Sequence, residues 1–115
     1  MPPPAVSRRD EWAAIRVPRS VGLDAIAILG SRSGAVLADQ EALYWFISPA
    51  AVSDWDVPGT RPVGVAAHLV IPPVRRTQGP GPHWRVCPGT DAWATDAAAL
   101  RAALEDATRP RMVRR

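Results

Sequence analysis

Two aspartates spaced i, i+2 stand out in the run Ser-Asp-Trp-Asp-Val, at Asp54 and Asp56. On a strand that spacing puts both carboxylates on one face, where they can hold a divalent cation for phosphoryl transfer. His68 or His83 would complete such a site as the nitrogen donor of a small metal-dependent nucleotidyl enzyme. The pair falls just before Pro58-Gly59, however, and no third acid stands nearby in sequence. Aspartates in that setting more often cap local amides in a turn. The turn is the first reading of Asp54 and Asp56, and metal ligation the second. His68, set among Ala, Leu and Val, reads as a packed, hydrogen-bonded residue.

A second constellation is cationic. The stretch VIPPVRRTQGPGPHW places Arg75, Arg76 and a Gly-Pro-Gly-Pro tract just ahead of His83 and Trp84, with Arg85 following. Guanidinium groups on a stiff bend, an imidazole and an aromatic face are the parts of a phosphate cradle. The competing expectation is that Trp84 points inward to fill the core and the arginines form a solvent coat. Charge is also distributed unevenly. Residues 1–56 carry a net charge of −2 and residues 57–115 one of +5. That asymmetry suggests an anionic partner for the second half, through Arg75, Arg76, His83 and Arg85 together with the tail residues Arg109, Arg111, Arg114 and Arg115.

Other chemistries find little footing. Cys87 is the single cysteine, so no internal disulfide and no Cys-rich metal site can form. No serine occupies a G-x-S-x-G elbow. The Gly30–Gly34 run GSRSG follows a helix and precedes a strand, whereas a phosphate loop needs its amides at a helix start. No cofactor is implied. The chain has no apolar run of membrane-spanning length and no charged-then-apolar start of a secretion signal, which places it in the cytoplasm. Every cationic residue is arginine, lysine and asparagine being absent; with abundant Ala, Gly and Pro this reads as a codon effect of a GC-rich bacterial genome.

The elements that must position these residues follow from periodicity and punctuation. Residues 1–9 are Pro-rich and expected to be disordered, 10–108 to form one domain, and 109–115 to be a loose basic tail. A strand is expected from about Trp12 to Pro18. SVGLDAIAILG reads as a helix with Ser20 as N-cap and Gly30 as its left-handed stop, apolar enough to be buried on most sides. Val36-Leu37, the polar turn Asp39-Gln40-Glu41 and ALYWFIS read as a β-hairpin, its second strand central and covered on both faces. AAVSDW suits one helical turn. VGVAAHLVIPP and HWRVCP read as strands, the latter alternating His83/Arg85/Cys87 against Trp84/Val86, with Arg75 to Pro82 as a wide hairpin loop between them. TDAAALRAALEDATR gives an amphipathic helix with Thr95 as N-cap, Asp96 in the first turn and an apolar stripe through Ala97, Leu100, Ala103, Leu104 and Ala107. The fold class expected is α+β: one small domain, a mixed or antiparallel sheet with hairpins, one buried helix and a C-terminal amphipathic helix. Trp45 and Trp84 are expected in the core, with Trp12, Trp55 and Trp93 near element ends.

The pattern formed by Gly64, Leu69, Val70, Pro72, Pro73, Gly79 and Trp84, with ALYWFISP before it and TDAAALRAALEDA after it, resembles the end of the bifunctional DNA primase/polymerase N-terminal domain. It is closer still to small actinobacterial proteins that carry a degenerate form of that domain. The likeness runs from about Gly34 to Ala107. Active members of that family use a D-x-D or D-x-E strand motif and a later strand histidine. Here Asp24 stands alone in LDAIAI, SRSGAVLADQEALYWF contains no histidine, and Asp54 and Asp56 lie between the wrong elements. The resemblance therefore implies a non-catalytic, nucleic-acid-associated relative, with DNA or another polyanion as partner. The alternative is a small protein–protein interaction or regulatory module, using the flat face of the sheet and rim tryptophans and needing no phosphate contacts.

Overall fold

The β-branched and aromatic run Leu43-Tyr44-Trp45-Phe46-Ile47 lies at the centre of the molecule. In the computed structural model, which describes residues 13–64, 71–79, 81–88 and 94–108, it forms the middle of five strands. The Pro-rich start, Trp12, His68, Trp93 and the tail arginines Arg109, Arg111, Arg114 and Arg115 lie outside the described residues. In chain order the elements are β1 (Ala13–Pro18), α1 (Arg19–Leu29), a 3-10 turn (Gly30–Arg32), β2 (Val36–Ala38), β3 (Ala42–Ile47), a 3-10 turn (Pro49–Asp54), β4 (Arg61–Gly64), β5 (His83–Val86) and α2 (Ala97–Thr108). The strand order is β4-β1-β3-β2-β5 and every pairing is antiparallel. The protein is an α+β domain.

Each face of the sheet buries its own apolar set. On the first, Ile15, Val17, Val36, Ala38, Leu43, Trp45 and Ile47 meet Ala25 and Leu29 of α1 and Leu100, Ala103 and Leu104 of α2. On the second, Ala14, Ala35, Leu37, Phe46 and Trp84 gather with Tyr44, Val63 and Ile71 partly buried beside them. Strand alternation places Leu43, Trp45 and Ile47 on one side of β3 and Tyr44 and Phe46 on the other, so the covered central strand expected from its sequence is realised. The hairpin turn also forms as expected: the Asp39 carboxylate accepts the Glu41 and Ala42 amides at 2.9 and 2.8 Å through Oδ1, fixing the register of β2 on β3.

The ends of the helices are built differently from the expectation. α1 starts one residue earlier than Ser20, with Pro18 in the capping position and no side-chain cap; the Arg19 amide instead donates to the Glu41 carbonyl at 3.1 Å. The far end does stop at Gly30, whose φ is +56°. α1 buries Gly22, Ala25 and Leu29 while Asp24, Ala27 and Ile28 face solvent. α1 comes so near β3 at Gly22 that an added Cβ would stand 2.6 Å from Leu43 Cδ1. At α2 the cap is Asp96, whose Oδ2 accepts the Ala99 amide at 2.9 Å. Thr95, expected in that role, is buried and ties the helix start to the sheet. Its amide donates to the Phe46 carbonyl and its Oγ1 accepts the Gly34 amide, both at 2.8 Å.

β4 and β5 are the two opposite edges of the sheet. The strand expected over VGVAAHLVIPP, which the Arg75 to Pro82 loop was to join to β5 as a hairpin, lies for residues 65–70 outside the described residues. Ile71, just beyond them, packs into the second-face cluster. The alternation expected for β5 fails. Leu37 faces Trp84 while the adjacent Val36 faces Val86, which leaves Arg85 as the extra residue of a β-bulge. The bulge turns Trp84 to the second face and Val86 to the helix-covered one.

Candidate functional site

Trp84 of β5 clasps the arginine-bearing loop. Its indole Nε1 donates to the carbonyls of Pro72 and Pro73 at 3.2 and 3.1 Å, and its amide donates to the Arg76 carbonyl at 2.7 Å. The Arg76 amide closes a tight turn onto the Pro73 carbonyl at 3.0 Å. These bonds use the main chain at both ends of the loop, which stiffens the bend.

Within the loop, residues gather around Gly81, which has a φ of +86°. The Arg76 Nε donates to the Pro82 carbonyl at 3.2 Å, and its Nη2 lies 3.9 Å from where a Cβ on Gly81 would stand. His83 Nδ1 lies 2.9 Å from the Gly81 carbonyl. A carbonyl only accepts, so that nitrogen carries the hydrogen, and Nε2 is an acceptor in the neutral ring and a donor in the charged one. Facing this bend is the start of α1. Arg19, Asp39, Gln40, Gly79, Gly81 and His83 line an open cleft of about 270 Å³. Arg19 is aimed there by its Nη1 bond to the Asp39 carbonyl at 3.0 Å. The Asp39 carboxylate is occupied by the turn amides and by the Tyr44 hydroxyl, which donates to Oδ2 at 3.2 Å. Guanidinium and imidazole groups thus border the cleft, and its one carboxylate is already engaged.

The expected phosphate-binding set divides. Arg76 and His83 come together. Arg75 is exposed at the tip of the turn beside the exposed Val74, and Arg85 is carried outward by the bulge. Arg109 and Arg111 lie outside the described residues. Arg19 belongs to the cleft and sequence reading missed it: it stands more than fifty positions before the loop, and only the pairing of β2 with both β3 and β5 brings the two segments together.

The aspartate pair has another occupation. Both terminal nitrogens of the Arg101 guanidinium engage Asp56 Oδ1, Nη2 also donates to the Asp54 carbonyl at 2.8 Å, and the guanidinium lies 5.9 Å from the centre of the Trp55 ring. Glu105 adds a 3.6 Å ion pair from the next turn of α2. Among the described residues no three His, Cys, Asp or Glu side chains converge as metal ligands. The local amide capping expected of Asp54 and Asp56 is not seen among the described residues: the Asp56 carboxylate pairs instead with Arg101 of α2. Trp55 itself is half-buried, donating through Nε1 to Thr60 Oγ1 at 2.8 Å, and Trp45 and Trp84 are in the core. GSRSG is likewise structural: Ser33 Oγ accepts the Trp45 indole at 3.2 Å and the Gly34 amide is taken by Thr95. No helix among the described residues is long and apolar enough to cross a membrane.

Comparison with protein-family models, with curated proteins and with solved structures gives no match.

Proposed function

We propose that this protein is a non-catalytic domain that associates with nucleic acid through phosphate contacts at the Trp84-clasped loop, as a degenerate relative of the primase/polymerase domain it resembles. The observation that carries the reading is the convergence of Arg19, Arg76 and His83 around the Gly79–Gly81 bend, with Arg75 exposed on the same loop. Charge-assisted bonds from guanidinium groups are the strong form of phosphate contact. A pre-stiffened loop loses little entropy when it makes them. The engagement of Asp56 by Arg101 supports the non-catalytic half of the reading, since that carboxylate would have to give up its guanidinium partner to ligate a metal.

The test is fluorescence anisotropy with a single-stranded oligonucleotide at low and moderate salt. Binding is expected to weaken steeply with salt. Each phosphate that the protein ceases to neutralise should lower the slope of log K against log salt by about 0.7. The Arg75→Ala/Arg76→Ala variant should therefore bind more weakly and with a shallower slope. Equal affinity and slope in the variant would remove the loop. A stable protein complex in a pull-down, with no response to the oligonucleotide, would favour the interaction-module alternative.

A further inference from the structure

One row of side chains crosses the second face of the sheet through registered pairs: Arg61 of β4, Arg16 of β1, Tyr44 of β3, Leu37 of β2 and Trp84 of β5. Its apolar half is covered where Ile71 packs and where the Pro72 and Pro73 carbonyls meet the Trp84 indole. The other half presents two arginines directly opposite each other, an arrangement that destabilises a sheet when nothing lies between the charges.

The charges around this pair do not balance it locally. Arg16 has Glu41 at 3.6 Å, but that carboxylate is 82% exposed and holds only one edge of one guanidinium. Asp39 gives Oδ1 to two amides and Oδ2 to the Tyr44 hydroxyl. Arg16 stands beside Tyr44, its registered partner on β3. The Arg61 side chain makes no hydrogen bond or ion pair among the described residues, and the residue is exposed.

We infer that Arg16 and Arg61 form an oxyanion site for a phosphate group on the second face of the sheet. Opposed residues of an antiparallel pair have Cβ atoms about 5 Å apart. Two guanidinium forks on that base can each take one edge of a tetrahedral oxyanion, which converts their repulsion into charge-assisted hydrogen bonds to a shared anion. The site is separate from the loop cleft and stands whether or not that cleft binds nucleic acid. A free phosphate, a nucleotide monoester and a phosphodiester all carry the chemistry it recognises.

Arginine Nε–H signals followed by NMR read this site independently of the loop. Inorganic phosphate should shift the Arg16 and Arg61 signals saturably, beyond the effect of chloride at equal ionic strength, and should raise Tm. In Arg61→Gln the Arg16 shift should fall severalfold while the loop arginines respond as in the parent. Arg61→Glu should raise Tm in phosphate-free, low-salt buffer by relieving the repulsion, and should abolish the phosphate-induced rise. Parallel titrations with a nucleoside 5′-monophosphate and with an oligonucleotide lacking terminal phosphates tell which ester fills the site, and a saturable shift with either supports it. Arg16 and Arg61 signals that stay still in phosphate and in both esters, or move only as they do in chloride, overturn it.

Discussion

The Trp84 indole bonds to the carbonyl of Pro72, and through that bond the sheet edge and the Pro72-Pro73 segment become one unit. The same ring lies 6.1 Å from Phe46, tilted by 38°, so the anchor of the loop is also a core residue. Trp84→Phe keeps an aromatic ring but removes the donor and some volume. The expected cost is about 2 kcal/mol, combining a small cavity with the buried Pro72 carbonyl left without its indole donor. Urea unfolding gives the magnitude. Amide exchange gives the location: the Arg76 and Trp84 amides should lose protection well before the strand amides of β3.

At Gly22 an added methyl would collide with the Cδ1, Cγ and Cβ of Leu43, the last at 3.1 Å. Movement of a side-chain tip cannot clear all three. Gly22→Ala gains about 1 kcal/mol of helix propensity and meets an overpacking cost of about 1–3 kcal/mol. A net destabilisation of about 1 kcal/mol is expected by chemical denaturation. Adding Leu43→Ala to Gly22→Ala should give a double variant whose destabilisation is smaller than the sum of the singles, because the second change empties the space the first one needs.

Asp56 and Arg101 are exposed enough that their pairing contributes little stability. Asp56→Ala is expected to cost less than about 1 kcal/mol. Its diagnostic value lies in metal binding. With Arg101 on the carboxylate, Mn²⁺ titration of the parent protein should give no saturable heat. A saturable heat that disappears in Asp56→Asn would restore the metal-ligand reading of the Asp54-Asp56 pair.

Tyr44 titrates above the ordinary tyrosine range, chiefly because burial disfavours the phenolate, with the nearby Asp39 charge acting in the same direction and Arg16 opposing it. A phenol with a raised folded pKa adds stability that is fully present below the unfolded value of 10.0 and is lost as pH climbs through the folded one. The chain has no lysine and only one tyrosine, so tyrosinate absorbance reports this residue alone. The folded protein should show a midpoint above that of the urea-unfolded chain. Tyr44→Phe should flatten the alkaline decline of stability.

What the sequence made legible was local. The central strand, the β2–β3 hairpin, the Gly30 stop and the apolar stripe of α2 all follow from short-range pattern, because each is fixed by neighbours within a few residues. The strand order was not legible, since no short-range pattern sets β4 beside β1 or β5 beside β2. Nor was the inserted residue at Arg85, because a bulge leaves composition untouched and only shifts which side chains face which layer. Thr95 and Asp96 exchanged roles for a similar reason: either can cap, and the choice is made by Gly34 and Phe46, far away in sequence. The candidate site was half legible. Arg76 and His83 share a loop, whereas Arg19 is joined to them by tertiary pairing alone.

That joining yields the sharpest expectation for the cleft. Arg19 holds the Asp39 carbonyl through one nitrogen and lines the cleft opposite Gly79 and Gly81. Arg19→Gln keeps a donor for the carbonyl while removing the charge, so the fold should be kept within about 0.5 kcal/mol. If the cleft receives phosphate, oligonucleotide affinity should fall by about 1.5–3 kcal/mol, the range of a hydrogen bond to a charged group. The salt slope should become shallower by about 0.7, the share of one phosphate. His83→Gln should weaken binding less than Arg19→Gln. Anisotropy titrations of both variants at two salt concentrations measure these effects. Affinity unchanged in Arg19→Gln would place the contact surface on the exposed tip at Arg75 and leave the cleft unoccupied by the ligand.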